Sequence, residues 1–84
     1  MMRIKSGFSL RQSGEKYGII NEISGEFILS DMTETEIFLW EKTKEEFSAE
    51  SLIAAILNEF CVDGATAELE AYDFISTLKN ANAI

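Results

Sequence analysis

The 84-residue sequence has no histidine and no proline, one cysteine, and only seven lysines and arginines. Each shortage excludes a class of protein. Without histidine the chain lacks the commonest general base near neutral pH and the commonest metal ligand. The single thiol, Cys61, cannot close an internal disulfide or build a Cys-rich zinc or iron–sulfur site. That usage suits a reducing compartment. Acidic residues, Glu59 and Asp63, flank Cys61 and disfavour a thiolate, so the thiol is expected to be a buried packing residue. Neither a Gly-x-Gly-x-x-Gly run nor a P-loop occurs, so no nucleotide motif is present. No apolar stretch approaches the ~18 residues of a membrane span. Met1 to Lys5 is charged and no signal-like apolar run follows, so the expected location is the cytoplasm. Neither a catalytic residue nor a cofactor is expected from this inventory.

Carboxylates, in contrast, are plentiful. Fifteen acidic residues against seven basic ones give a net charge of −8. The charge is uneven. Residues 1–16 carry Arg3, Lys5, Arg11 and Lys16 against Glu15, a net of +3, which leaves −11 on the remainder. Such a surface repels nucleic acid and anionic lipid, so neither is an expected partner. It favours a basic peptide or a protein with a basic patch. Most of the carboxylates fall on the solvated faces of expected helices. The chain is short enough for one domain, residues 1–84, and 46% of it is hydrophobic, which permits a compact core.

The first third has the pattern of strands. Phe8, Leu10 and Gln12 alternate with Ser9 and Arg11. Ser13-Gly14 and Ser24-Gly25 supply turn chemistry on either side of a β-rich run, Tyr17 to Ile23. Glu26 to Ser30 makes a third run. Short turns join neighbouring antiparallel strands, so a three-strand meander is expected with its outer strands as edges. Thr33 and Glu36 then fit a capping box, with Met32 and Ile37 placed as a hydrophobic staple. Helix one is expected to send Ile37, Phe38, Trp40 and, as a further candidate, Leu39 into the core and to end in the charged run Glu41 to Glu46. Ser48 caps a second helix whose stripe is Leu52, Ile53, Ile56, Leu57 and Phe60. Asp63-Gly64 opens a third, to about Asn80. At ~100° per residue, Ala67, Ala71, Phe74, Ile75 and Leu78 share its core face, while Tyr72 and Leu69 lie off that stripe. Strands followed by helices imply an α+β fold with helices on one face of a small sheet.

Strand three is the informative segment. Phe27, Ile28 and Leu29 are consecutive and apolar, so both faces of this edge strand are expected to be hydrophobic. One face packs on the helices and the other needs a cover, as does its row of unpaired N–H and C=O groups. The N-terminal segment or helix three can provide it. So can an incoming extended peptide, by strand addition.

The ordered set of Gly7-Phe8-Ser9-Leu10-Arg11, Met32-Thr33-Glu34-Thr35 leading to Phe38-Leu39-Trp40, Ser48 to Phe60, and Phe74-Ile75 followed by Leu78 resembles the PqqD-like family. These are the peptide chaperones of pyrroloquinoline quinone (PQQ) synthesis and the recognition elements of other pathways that modify ribosomally made peptides. Nearly the whole chain is covered. The family's Leu-Asn-Glu-Thr before helix one is here Met32-Thr33-Glu34-Thr35, and either Asn or Thr can cap. Its Asp-Val before the last helix's Phe-Leu is here Glu70-Ala71. Its glycine near the C-terminus is here Asn82, which also tolerates left-handed geometry.

The resemblance implies a winged helix-turn-helix-like fold, a three-stranded antiparallel sheet followed by three helices. It implies that the chain is not an enzyme. Its partners would be the leader of a precursor peptide, bound between strand three and the last helix, and a modifying enzyme, often a radical S-adenosylmethionine enzyme. Carried onto this chain, the cleft comprises Phe27, Ile28, Leu29 and Ser30 on one side and Glu68, Leu69, Tyr72, Ile75 and Lys79 on the other. Two further readings stand beside it. One is a subunit that dimerises through the apolar strand edge, so that monomer and homodimer both remain open. The other is a winged-helix DNA-binding protein, which needs a basic recognition helix, whereas helix three has Lys79 against Glu68, Glu70 and Asp73.

Overall fold

The computed structural model describes residues 1–84. The chain runs β1 (Phe8–Ser13), β2 (Lys16–Asn21), β3 (Phe27–Leu29), α1 (Glu34–Lys42), α2 (Ala49–Glu59) and α3 (Gly64–Asn80). The strands form one antiparallel sheet in the order β1-β2-β3, as the turn chemistry implies. Ser13 pairs with Lys16 across a two-residue loop, and Gly14 at its first position has a φ of 64°. A type II′ hairpin turn requires positive φ there, which glycine adopts without a steric penalty. β2 ends at Asn21, two residues before the end of its β-rich run. The Asn21 side chain accepts the amides of Ile23 and Ser24 at 2.9 and 3.3 Å, turning the chain before Ile23 can pair.

Each helix starts on a side-chain cap. Thr33 accepts from the Glu36 amide while the Glu36 carboxylate accepts from the Thr33 amide, the expected reciprocal box. Ser48 makes the same exchange with Ser51. Asp63 accepts from the Thr66 amide at 2.8 Å, and hydrogen bonding from Thr66, side chain first and then backbone, holds its carboxyl below the usual range. A depressed carboxyl contributes stability above its unfolded pKa, near 4, and that stability is lost as pH falls through the folded value. Asp63→Asn keeps a capping oxygen but no longer titrates. The gap in melting temperature between the wild type and Asp63→Asn is therefore expected to close between pH 7 and pH 3. A gap that persists unchanged at pH 3 contradicts this assignment.

The core lies between the sheet and the helices, with Ile19, Leu39, Leu52, Ile56, Phe74 and Leu78 among its buried members. The core stripe of α3 contains the five residues that its periodicity selects. The other two helices turn their expected residues, Leu57 excepted, to the core but bury them unevenly. In α1 it is Leu39 and Trp40 that are buried, whereas Ile37 and Phe38 are only half-buried. In α2, Leu52 and Ile56 are buried but Leu57 is exposed. Cys61 is also exposed, contrary to its expected role as a packing residue. The chain leaves the helix at Phe60, and that ring takes the packing, edge-on to Phe38 with centroids 5.2 Å apart. Cys61 follows in the link to α3 with its side chain outside.

The chain's two ends are tied to the body of the domain. Met2 and Phe47 exchange backbone hydrogen bonds of 2.7 and 2.9 Å, and the Lys5 amide donates to the Ala83 carbonyl at 2.7 Å. Asn82, with a φ of 57°, closes α3. The Ala83 amide reaches the Leu78 carbonyl at 2.8 Å and the Asn82 amide reaches Lys79 at 3.0 Å. This is a Schellman ending, with Asn in the position glycine usually fills.

Candidate functional site

The N-terminal segment does not cover strand three. It pairs with Phe47 instead, and β3 pairs with β2 alone, so the other edge of β3 bonds to no strand. An edge of this kind presents N–H and C=O groups that another extended chain can satisfy.

The strand is not uniformly apolar on two faces, as its three consecutive hydrophobic residues suggest. Its register against β2 shifts between Ile19 and Ile20: Ile19 faces Leu29, and Ile20 faces Phe27. Three residues of β3 thus oppose two of β2, the mark of a β-bulge, which bends the strand and re-aims its side chains. Ile28 and Leu29 both pack against the core. Phe27 turns to the outer face, where 53% of it is exposed. Gly18 makes room for it. A Cβ at Gly18 would lie 2.8 Å from Phe27 Cδ1 and 2.8 Å from the Leu29 carbonyl oxygen. An isolated glycine inside a strand pattern signals such a close approach, so Gly18 was legible in the sequence and was missed there.

α3 packs beside β3. The residues expected to line the helix side of the cleft divide into two kinds. Leu69 and Tyr72 are 62% and 53% exposed, and Glu68 and Lys79 are exposed with them. Ile75 is only 5% exposed and belongs to the core, where its own stripe places it. Ile75 can at most contribute to the floor of a cleft. Counting ~100° per residue from Ile75, Glu68, Lys79, Tyr72 and Leu69 follow in order away from the core. α3 thus carries a second, uncovered apolar strip, Tyr72 and Leu69, which lies beyond Glu68 and Lys79 on the side away from the core.

On the outer sheet face, Arg11, Ser13, Lys16, Tyr17, Gly18, Phe27, Ser30 and Asp31 surround a pocket of about 290 Å³. Of these, only Phe27 and Ser30 were expected at the site. Beside the pocket, Glu22 accepts from Ser9 and from the Arg11 guanidinium, the latter at 2.8 and 3.0 Å. Ser9 and then Arg11 hold the Glu22 carboxyl below its ordinary range. No helix is long and apolar enough to cross a membrane.

Two solved structures share this fold. One is TbiB1 in complex with the TbiA(beta) leader peptide, 21% identical, with a TM-score of 0.76 over 98% of this chain and 93% of that one. The other is a lasso peptide synthetase B1 complexed with the leader peptide, 18% identical, with a TM-score of 0.72 over 96% and 92%. No family model and no curated protein matches the chain.

Proposed function

We propose that this chain is a non-catalytic recognition domain for the leader of a ribosomally made precursor peptide. The leader adds as a strand to the free edge of β3 and is presented to a modifying enzyme. The observation that carries this reading is the pairing of β3 with β2 alone, beside the uncovered Leu69 and Tyr72 of α3. Main-chain bonds give an added strand its orientation and much of its affinity, and side-chain pockets give specificity. That two proteins of the same fold are each described with a leader peptide bound supports the reading. The resemblance to PqqD-like chaperones supports it as well. The modifying enzyme would be a radical S-adenosylmethionine enzyme, as is common among partners of that family, or another peptide-modifying catalyst. The acidic surface suits a basic dock on either.

The binding residues in this reading are Phe27, Ile28, Leu29 and Ser30 of the strand side with Glu68, Leu69, Tyr72 and Lys79 of the helix, over Ile75. The test is fluorescence anisotropy of a labelled precursor peptide encoded beside this gene. Saturable binding to the peptide, with none to duplex DNA, is the expected result. Salt-sensitive binding to duplex and none to peptide overturns the proposal.

A further inference from the structure

The outer-face pocket shares Phe27 and Ser30 with the free edge of β3, yet it opens on the side of the sheet away from the core. Arg11 pairs with Gly18, and Ile20 pairs with Phe27. Paired residues share a face, and Gly18 and Ile20 alternate with the buried Ile19. The pocket is therefore outside the helix layer, and the Phe27 ring lies directly over Gly18, where no side chain intervenes.

A strand added to β3 points alternate side chains to the two faces of the sheet. One set turns toward Leu69 and Tyr72, and the other turns toward this pocket. A slip of one residue exchanges the two sets, so chemistry specific to one face fixes the register. The pocket has such chemistry. It holds two cations, Arg11 and Lys16, and one carboxylate, Asp31. Glu22 beside it is paired with Arg11, which leaves Lys16 as the pocket's cation without an ion-pair partner in a molecule whose net charge is −8. Arg11 commits one terminal nitrogen to Glu22 and keeps the other donors of its fork. Lys16 is exposed and makes no ion pair.

We infer that this pocket is a second subsite of the peptide site, which takes an acidic side chain from the outward-facing position of the added strand, with Lys16 as its charge partner. The inference rests on strand addition as proposed above. On the helix side of the cleft the one cation, Lys79, stands with Glu68, Leu69 and Tyr72, so a carboxylate is favoured most at the outer-face pocket, which Lys16 and Arg11 both line. The bound segment has an acidic residue whose immediate neighbours in the sequence, facing α3, are apolar.

A library of randomised twelve-residue peptides with blocked termini, panned on the immobilised wild-type domain, tests this. The expected selection has Asp or Glu at one position, with apolar residues immediately before and after it. Panning on Lys16→Glu is expected to move that position to Lys or Arg. Peptides selected by the wild type are expected to lose about fivefold in affinity for Lys16→Glu, the size of a solvent-exposed charge pair. Its melting temperature is expected to match the wild type, because Lys16 is exposed and makes no ion pair. If peptides are selected but no acidic position emerges, or if Lys16→Glu selects the same residues, the subsite is wrong and strand addition stands. If the wild type selects no peptide, both are wrong.

Discussion

Replacing Leu69 and Tyr72 together with alanine is expected to weaken peptide binding about thirtyfold, the ~2 kcal/mol typical of an interface hot spot. The melting temperature is expected to stay at the wild-type value or rise slightly. Both side chains are more than half exposed and contribute little to the core. Alanine is the better helix former at both positions. An aromatic ring with a polar tip is the kind of group that anchors an interface at low entropic cost. A merely structural role would lower stability and affinity together. Unchanged affinity in the double variant removes the helix strip from the site.

Gly18→Ala is expected to act on both stability and binding. The added Cβ meets the Phe27 ring and the Leu29 carbonyl oxygen, both at 2.8 Å. The ring stands at the surface and can swing aside, but the carbonyl cannot move unless β3 moves with it. Overpacking of this kind costs about 1–3 kcal/mol. For a domain of this size each kcal/mol lowers the melting temperature by roughly 4–8 °C. The displaced strand also loses the edge on which a peptide would pair, so affinity is expected to fall well beyond the effect on folding. The fall should persist at temperatures where the variant is fully folded. A variant as stable as the wild type that also binds as well shows that β3 does not depend on Gly18.

Most of the architecture was legible because it rests on local chemistry. Thr33, Ser48 and Asp63 each mark a helix start by a side chain that bonds an amide three residues on. The stripe of α3 follows from angle alone, since a long helix lying on the core averages over its neighbours. The register of β3 was not legible. Phe27-Ile28-Leu29 has no alternation, and the bulge that sends two of these residues inward and one outward arises from pairing with β2. The depth of burial on α1 and the exposure of Leu57 on α2 were missed for a related reason. Which side of a short helix is covered depends on where the other elements sit, and Leu57 lies where nothing covers it. Within the candidate site, the exposed Leu69 and Tyr72 were found from sequence because they fall off the core stripe. Arg11, Lys16 and Asp31 were missed because a pocket joining β1, β2 and the turn after β3 exists only once the sheet has formed.

The central claim is that a peptide adds to the sheet at β3. Backbone amide shifts and hydrogen exchange, followed by NMR as the labelled domain is titrated with a bound peptide, test it most directly. The predicted result is that shifts and new protection concentrate in residues 26–31, with accompanying shifts along the Leu69–Tyr72 strip of α3. Shifts that avoid both segments and gather on α1 and α2 would contradict it.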